Sequence, residues 1–179
     1  MNVDPGRFKL FLFDGAPTEK WIRSNGGAAG LYVHEGGGDA QEQCARIGIS
    51  TAQLTDPLSL VATLAHEIGH EILLGQNRVT SDQADHEPLT DLLTVFLGMG
   101  IFNGNATIRD SGWSSGGWSG WSTKRLGYLD QRTFGYALAR FAWERGETKP
   151  SWIKSVRPDV RAPLKQGLRF LADAEISKR

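Results

Sequence analysis

Short apolar runs separated by glycine-rich turns occupy the first fifty residues of the chain. The runs are KLFLF (9–13), GLYVHE (30–35) and ARIGIS (45–50), and the third alternates apolar and polar positions as a half-buried strand does. The segments NGGAAG and GGGD, on either side of the second run, are strong breakers of regular structure. Three short strands joined by glycine turns predict a small antiparallel sheet.

A helical period of apolar residues begins at residue 55. The segment TDPLSLVATLAHEIGHEILLG (55–75) starts with Asp56 and Pro57, a capping residue and a residue suited to the first turn, and stops at Gly75. One predicted stripe of this helix is apolar: Val61, Leu64, Ala65, Ile68 and Ile72. His66 and His70 are predicted to project roughly opposite that stripe.

A second helix of similar design is predicted for EPLTDLLTVFLGMGIF (87–102), with Pro88 in its first turn. Its predicted apolar stripe comprises Leu89, Leu92, Leu93 and Phe96. Its opposite stripe comprises Glu87, Asp91 and Thr94. Both helices therefore combine an apolar back with a short polar stripe that carries side chains of the kind that bind metals.

The rest of the chain contains a loop and two more helices. SGWSSGGWSGWS (111–122) is rich in Gly and Ser and carries three tryptophans, which predicts a loop over about 104–129. Two further helices are predicted, for DQRTFGYALARFAWERG (130–146) and RPDVRAPLKQGLRFLADA (157–174). A kink or break is expected at Pro163 in the second.

The elements together predict one α+β domain over residues 1–179. A small antiparallel sheet would pack on the pair of site helices, with further C-terminal helices after them. The expected boundaries are strands at about 9–50, site helices at about 56–103, the Trp/Gly/Ser loop at about 104–129 and C-terminal helices at about 130–175.

Composition excludes several classes of function. The 179 residues include 20 acidic and 20 basic ones, so no broad attraction to nucleic acid or to an anionic membrane is expected. The single cysteine rules out an internal disulfide framework, and no signal peptide or segment of membrane-spanning length is visible. These features predict a cytoplasmic protein; the alternative is a piece of a longer protein whose signal lies elsewhere.

The motif HEIGH (66–70) carries the clearest chemistry. Histidines four residues apart on a helix lie one turn apart, so both rings can reach one metal ion. Glu67 lies one step round the helix, where it suits a base that takes a proton from metal-activated water better than it suits a ligand. A catalytic zinc ion needs about three protein ligands and one open position. The plainer alternative is a pair of surface histidines beside a solvated acidic patch.

Glu87 is the candidate third ligand, because it begins the next helix after a loop long enough to reverse direction. Asp91, one turn further on, could accept the free N–H of a ligand histidine and fix its tautomer. A solvated glutamate at a helix start is the alternative for Glu87, since acidic residues favour that position anyway.

These residues resemble those of the gluzincin branch of zinc metalloproteases. In that branch HExxH supplies two ligands and a downstream glutamate the third, and here HEIGH is followed by EPLTD, of the form Glu-x-x-x-Asp. The resemblance covers about residues 45–105. The run ATLAHEIGHEILLG and its continuation DHEPLTDLLTVFLGMGIFNGNA are also similar to a group of uncharacterised bacterial HExxH proteins.

The resemblance implies a minimal zincin-like fold and a Zn²⁺-dependent peptidase. It implies His66, His70 and Glu87 as ligands, Glu67 as catalytic base and Asp91 as a partner of a ligand. It also implies a peptide or protein substrate, paired with ARIGIS (45–50) as an edge strand. The loop between His70 and Glu87 is shorter than in the larger family members, and no motif identifies the residue that stabilises the oxyanion. Tyr128 and Tyr136 are candidates for that role, and packing is the alternative for each.

Three other groups of residues have open interpretations. Cys44 stands upstream of the motif as the cysteine ligand of peptide deformylases does, although the match is partial, and a small buried cysteine is the alternative. His34 and His86 are either extra ligands or ordinary surface histidines. Trp113, Trp118 and Trp121 either line a cleft or anchor their loop on the core.

Two rival functions stay open beside the peptidase. One is a non-catalytic or regulatory domain in which zinc ties the two helices together. The other is a zinc amidohydrolase of deformylase type. A purely structural zinc site needs no base and usually contains more cysteine, so Glu67 favours catalysis. The glycine runs at 26–27 and 36–38 lack the Lys-Ser/Thr ending of a phosphate loop.

Overall fold

The structure is a computed structural model that describes residues 3–14, 29–34, 45–115 and 118–177. Its strands are β1 Phe8–Phe13, β2 Gly30–His34, β3 Ala45–Ser50, β4 Ile108–Ser115 and β5 Trp118–Arg125. Its α-helices are α1 Pro57–His70, α2 His86–Phe96, α3 Gly100–Ala106, α4 Gln131–Glu144 and α5 Pro158–Ile176. The predicted α+β class is confirmed. No helix within these ranges has both the length and the apolar character needed to cross a membrane.

The chain forms two compact units, Met1–Thr90 and Asp91–Arg179, and the boundary falls inside α2. The first unit holds the sheet of β1, β2 and β3 with α1. The second holds the β4–β5 pair, α3, α4 and α5. That the whole chain acts as one domain stays a prediction.

The sheet of the first unit is mixed, so the prediction of an antiparallel sheet is wrong in one of its two pairings. Its strand order is β1-β3-β2, with β1 parallel to β3 and β2 antiparallel to β3. The prediction that 45–50 is an edge strand is also wrong, because β3 is hydrogen-bonded on both sides. Among the described strands, β1 and β2 form the edges of this sheet.

Strand β3 buries one face fully and the other in part. Ala45, Ile47 and Ile49 are buried on one face; on the other, Gly48 is buried and Arg46 is exposed. Leu10 and Leu12 of β1 are exposed, as an edge strand allows. The Phe11 ring of β1 covers Gly48, where a Cβ would come within 2.6 Å of it.

Helix α1 begins as the sequence predicts. The Asp56 side chain accepts a hydrogen bond from the Ser59 N–H at 3.2 Å, and Pro57 occupies the first turn. The helix then passes at Glu71–Gly75 into one π-helical turn, which the sequence did not predict. Single π turns inside helices are frequent at functional sites.

The predicted apolar stripe of α1 is only partly correct. Ala65 and Ile72 are buried, but Val61, Leu64 and Ile68 are half-buried. The most buried positions include small and polar residues: Ser59, Ala62, Thr63, Glu67, Gly69 and His70. This face is buried because α1 packs on β2 and β3, where short side chains permit a close approach.

The second site helix is shorter than predicted. It ends at Phe96, where Gly98 at φ +85° lets the Gly98 N–H reach the Val95 carbonyl at 3.0 Å. The Met99 N–H reaches the Thr94 carbonyl at 2.8 Å, which completes a Schellman cap. The chain resumes as α3, so the single helix over 87–102 is wrong.

The predicted apolar stripe of α2 is wrong as well. Phe96 is 77% exposed and Leu92 is exposed, whereas Thr90, Asp91 and Thr94 are fully buried. The buried stripe is therefore mostly polar.

The predicted loop at 104–129 contains a helix end and a hairpin. Strands β4 and β5 pair in antiparallel register from Ile108↔Arg125 to Ser115↔Trp118. The glycine and serine content predicted a loop, and the tryptophans at 113, 118 and 121 do not recur at the period of two that marks a strand, so the sequence pattern did not reveal the hairpin.

Helices α4 and α5 form the core of the second unit. Asp130 caps α4 by accepting from the Thr133 N–H at 2.7 Å. The core is built around Phe134, Leu138, Val160, Leu164 and Leu168. Gly135 and Gly167 lie where a Cβ would come within 2.7 Å of the other helix. Helix α5 continues through Pro163, so the break considered there does not occur.

Candidate metal centre

The first unit brings His66, His70 and Glu87 together. His66 Nε2 lies 3.1 Å from Glu87 Oε2, and His70 Nε2 lies 3.3 Å from the same oxygen. One ligand atom from each of the three residues can be chosen so that all lie within 4.8 Å of one another. The two imidazole rings meet edge to face, with centroids 4.7 Å apart.

These distances fit the coordination of zinc. Two ligand atoms on a tetrahedral zinc ion, each about 2.0–2.1 Å from it, are separated by about 3.3 Å. The two measured nitrogen–oxygen distances, 3.1 and 3.3 Å, lie close to that value. Two imidazoles and one carboxylate are also a donor set that catalytic zinc sites use. The donor set and the spacing therefore suit zinc.

The electrostatics of the cluster favour an ionised Glu87 and a neutral His70. Burial opposes ionisation of Glu87, but its close contacts with His66 and His70, and the positive charge that these rings carry when protonated, hold the pKa of Glu87 well below its usual value. Burial lowers the pKa of His70, although Glu87 opposes this shift. A neutral imidazole and an ionised carboxylate are the forms that bind a metal ion.

Glu67 lies on the same helix and is 6% exposed. Its carboxylate points toward the start of β2, where a Cβ on Gly30 would come within 2.5 Å of Glu67 Oε1 and would also clash with the Thr63 methyl group. Burial raises the pKa of Glu67 to about 7; the charge on His66 opposes the shift and that on Glu87 adds to it. A carboxyl group with a pKa near neutrality can take up and return a proton at neutral pH.

His86 stands beside the cluster. Its Nδ1 donates to the Gln83 carbonyl at 2.8 Å, and its Nε2 lies 3.5 Å from Glu87 Oε1. The His70 and His86 ring centroids are 6.1 Å apart. His86 therefore contacts the other oxygen of the shared carboxylate, and its role as an extra ligand stays a prediction.

Thr90 contacts the cluster from α2, although no sequence motif points to this residue. Thr90 Oγ1 donates to the His86 carbonyl at 2.8 Å and lies 3.4 Å from His70 Nδ1. Gly69 permits this approach, since a Cβ there would come within 2.8 Å of the Thr90 methyl group.

A buried polar network holds the π turn that follows His70. Glu71 accepts from Arg7 Nη2 at 2.9 Å and from the Tyr32 hydroxyl at 2.7 Å. Burial, followed by the hydrogen bond and charge of Glu71, raises the pKa of Tyr32, which therefore stays protonated as a donor. The Tyr32 ring lies 5.8 Å from the His70 ring between centroids. The network thus connects β2 and the chain before β1 to the helix that carries the histidines.

The remaining predicted site residues belong to the second unit. Asp91 is fully buried, and its Oδ2 accepts from the backbone N–H groups of Tyr128 at 2.6 Å and Leu129 at 3.1 Å. Tyr136 lies on α4, where its ring packs on Phe170. The proposed roles of Asp91 beside a ligand, and of Tyr128 or Tyr136 at an oxyanion, stay predictions.

Some predictions fall on parts of the chain that the structure does not describe. Cys44 lies outside the described residues, so the deformylase-like arrangement stays an alternative. The backbones of Trp113, Trp118 and Trp121 belong to β4 and β5, and the interpretation of their side chains stays open. His34 ends β2.

Comparison with known proteins adds no relative. No protein-family model, curated protein or solved structure matches the chain. The resemblance to gluzincins therefore depends on the motif residues themselves.

Proposed function

We propose that the protein is a zinc-dependent peptidase that hydrolyses a peptide bond. His66, His70 and Glu87 would hold the ion. When bound, zinc supplies a Lewis acid that polarises the scissile carbonyl and brings the pKa of water to about 7.

The position of Glu67 carries this proposal. It is a buried carboxyl, 6% exposed, one residue from a candidate ligand. A structural zinc site has no use for such a group, and burial of an ionisable carboxyl costs stability. Strongly perturbed carboxyl groups of this kind cluster at catalytic sites.

Glu67 would act first as the base and then as the acid of hydrolysis. Glu67 takes a proton from the attacking water, and the same carboxyl returns it to the leaving amine. Burial keeps bulk water away from Glu67 and strengthens the interactions of the developing charges.

An extended substrate would pair with β2. Among the described strands, β2 is an edge of the sheet, and it begins at Gly30 beside Glu67. Addition of a peptide strand to a sheet edge is a known recognition mode. The proposed pairing therefore moves from β3, which is paired on both sides, to β2.

The test is Glu67→Gln in protein loaded with one equivalent of zinc. The change keeps the shape of the side chain and removes the base, so zinc should stay bound at one ion per chain. Hydrolysis, measured on peptide libraries and unfolded proteins, should fall by about 10²–10⁴-fold. The matched control is Glu175→Gln, at an exposed position of α5, which should leave both quantities unchanged.

Three results would count against the proposal. Equal cleavage by wild type and Glu67→Gln would remove Glu67 as the base. Absence of stoichiometric zinc in elemental analysis would remove the metal. Bound zinc with no cleavage across the libraries would favour the non-catalytic zinc domain.

A further inference from the structure

We propose that Thr90 is a positioning residue that fixes the tautomer of His70, so that the Nε2 atom faces the metal as an unprotonated ligand. This inference deepens the proposed metal site and rests on it. The hydroxyl group of Thr90 lies on α2, outside the HEIGH motif of α1.

The two contacts of the Thr90 hydroxyl group define its hydrogen bonding. A hydroxyl has one proton to donate and two lone pairs that accept. The His86 carbonyl, at 2.8 Å, is the nearer neighbour and can only accept, so it takes the Thr90 proton. His70 Nδ1, at 3.4 Å, is then left to donate its own N–H to the Thr90 oxygen.

This tautomer has a direct consequence at the cluster. With the proton on Nδ1, the His70 Nε2 lone pair faces Glu87 Oε2 at 3.3 Å. Two electron-rich atoms that face each other at this distance repel unless a cation lies between them. The cluster is therefore arranged to attract a cation, and binding it requires no proton to leave Nε2.

The surroundings hold Thr90 in place. Its side chain is fully buried, its methyl group faces Gly69 of the HEIGH motif, and its hydroxyl group is tied to the backbone of its own helix. Removal of an outer partner of a ligand histidine typically costs about 10–100-fold in metal affinity or activity. A neutral hydroxyl also orients the ring without adding the negative charge that a carboxylate partner would bring.

The opposite tautomer is the competing state. In it, Thr90 would donate to Nδ1 and His70 Nε2–H would donate to Glu87, so that zinc would have to displace a proton from Nε2. NMR of the ring ¹⁵N nuclei of metal-free protein distinguishes the two states, because protonated and unprotonated ring nitrogens differ widely in chemical shift. The His70 signals are assigned by their loss in His70→Gln.

The experiment compares Thr90→Val with Thr90→Ser. Valine keeps the shape and removes both hydrogen bonds; serine keeps the hydroxyl group and removes the methyl group. Wild type and Thr90→Ser should have His70 protonated at Nδ1, and Thr90→Val should shift the proton to Nε2. Zinc affinity, measured by competition with a chelator, should fall by about 10–100-fold in Thr90→Val and by much less in Thr90→Ser.

Two results would overturn the inference. One is Nε2–H as the tautomer of the metal-free wild type. The other is an equal loss of zinc affinity in both variants, which would assign Thr90 a packing role only. Failure of the proposed function would look different. Wild-type protein that binds no zinc would reject the metal site, whereas the tautomer of His70 is measured in metal-free protein and does not depend on that result.

Discussion

Gly30 shows how a missing side chain can define a site. It begins β2 at the point where the Glu67 carboxylate and the Thr63 methyl group of α1 fill the space that a Cβ would need. The Glu67 side chain is flexible at its end, but Thr63 is short and β-branched and cannot move far. Any larger residue at position 30 must therefore push either the strand or the carboxylate away.

Gly30→Ala should therefore displace the Glu67 carboxylate and reduce hydrolysis, while the three metal-ligand candidates stay in place. We expect zinc affinity within a few-fold of wild type and hydrolysis reduced by at least about tenfold, because small displacements of catalytic groups are costly. Gly104→Ala is the control, since a Cβ there would meet its neighbours at ordinary distances of 3.5 Å or more. Unchanged hydrolysis in Gly30→Ala would mean that Glu67 is not held by this contact.

Sequence alone could predict part of the site at this scale. His66, Glu67 and His70 follow from helix geometry, and Glu87 follows from the start of the next helix; the structure brings the three ligand candidates together. Gly30 and Thr90 could not be found in the same way. Their roles depend on how β2 and α2 approach α1, which is a long-range property that no local spacing encodes.

The π turn at Glu71–Gly75 is the element most closely tied to the histidine helix. Burial of Glu71 would be unfavourable without partners, and Arg7 and Tyr32 supply them from two other parts of the first unit. Gly75 is needed at the end of the turn, because a Cβ there would clash with the Glu71 carboxylate. The turn therefore depends on side chains far away in sequence.

Tyr32→Phe should destabilise the protein through this turn. The change removes the hydroxyl donor to Glu71 and leaves a buried carboxylate less well satisfied. We expect the free energy of unfolding, measured with denaturant, to fall by about 1.5–3 kcal/mol, the range for hydrogen bonds to charged groups. Tyr136→Phe on α4 is the matched control, and equal stabilities of the two variants would contradict the role of the Tyr32 hydroxyl.

Elements were easier to predict than their arrangement. Strands β1 to β3 and helices α1, α4 and α5 begin and end within a few residues of the apolar runs and caps that predicted them. The mixed sheet with β3 at its centre was missed because the strand sequences do not reveal which strands pair or in which direction. The apolar stripes of α1 and α2 were misjudged because close packing favours small residues over large ones. The hairpin was missed because its sequence is rich in glycine and serine and lacks the period of two that marks a strand.

The chain carries its candidate metal site in one of its two compact units. All three ligand candidates belong to Met1–Thr90, although α2 continues past Thr90 into the second unit. The ligands come from two helices that are separated by the π turn and a polar segment. An ion that binds all three would therefore oppose separation of α1 from the start of α2.

Zinc should consequently raise the thermal stability of the protein. A ligand that binds only the folded state at about 100 times its Kd adds about 2.7 kcal/mol. For a chain of this size, that corresponds to a rise in Tm of several degrees. Scanning calorimetry with zinc and with a chelator measures the difference. Magnesium should give almost no rise, because it prefers oxygen ligands in an octahedral arrangement.

Glu87→Gln separates this effect from zinc bound elsewhere. The amide removes the negative charge that attracts the ion and changes the side-chain volume little, so the zinc-dependent rise in Tm should nearly disappear. His86→Gln tests the neighbouring imidazole in the same way. This variant should retain most of the zinc-dependent rise in Tm if His66, His70 and Glu87 are sufficient as ligands. Should zinc stabilise Glu87→Gln as much as wild type, the stabilising ion would be bound without Glu87, and the assignment of Glu87 as the third ligand would be wrong.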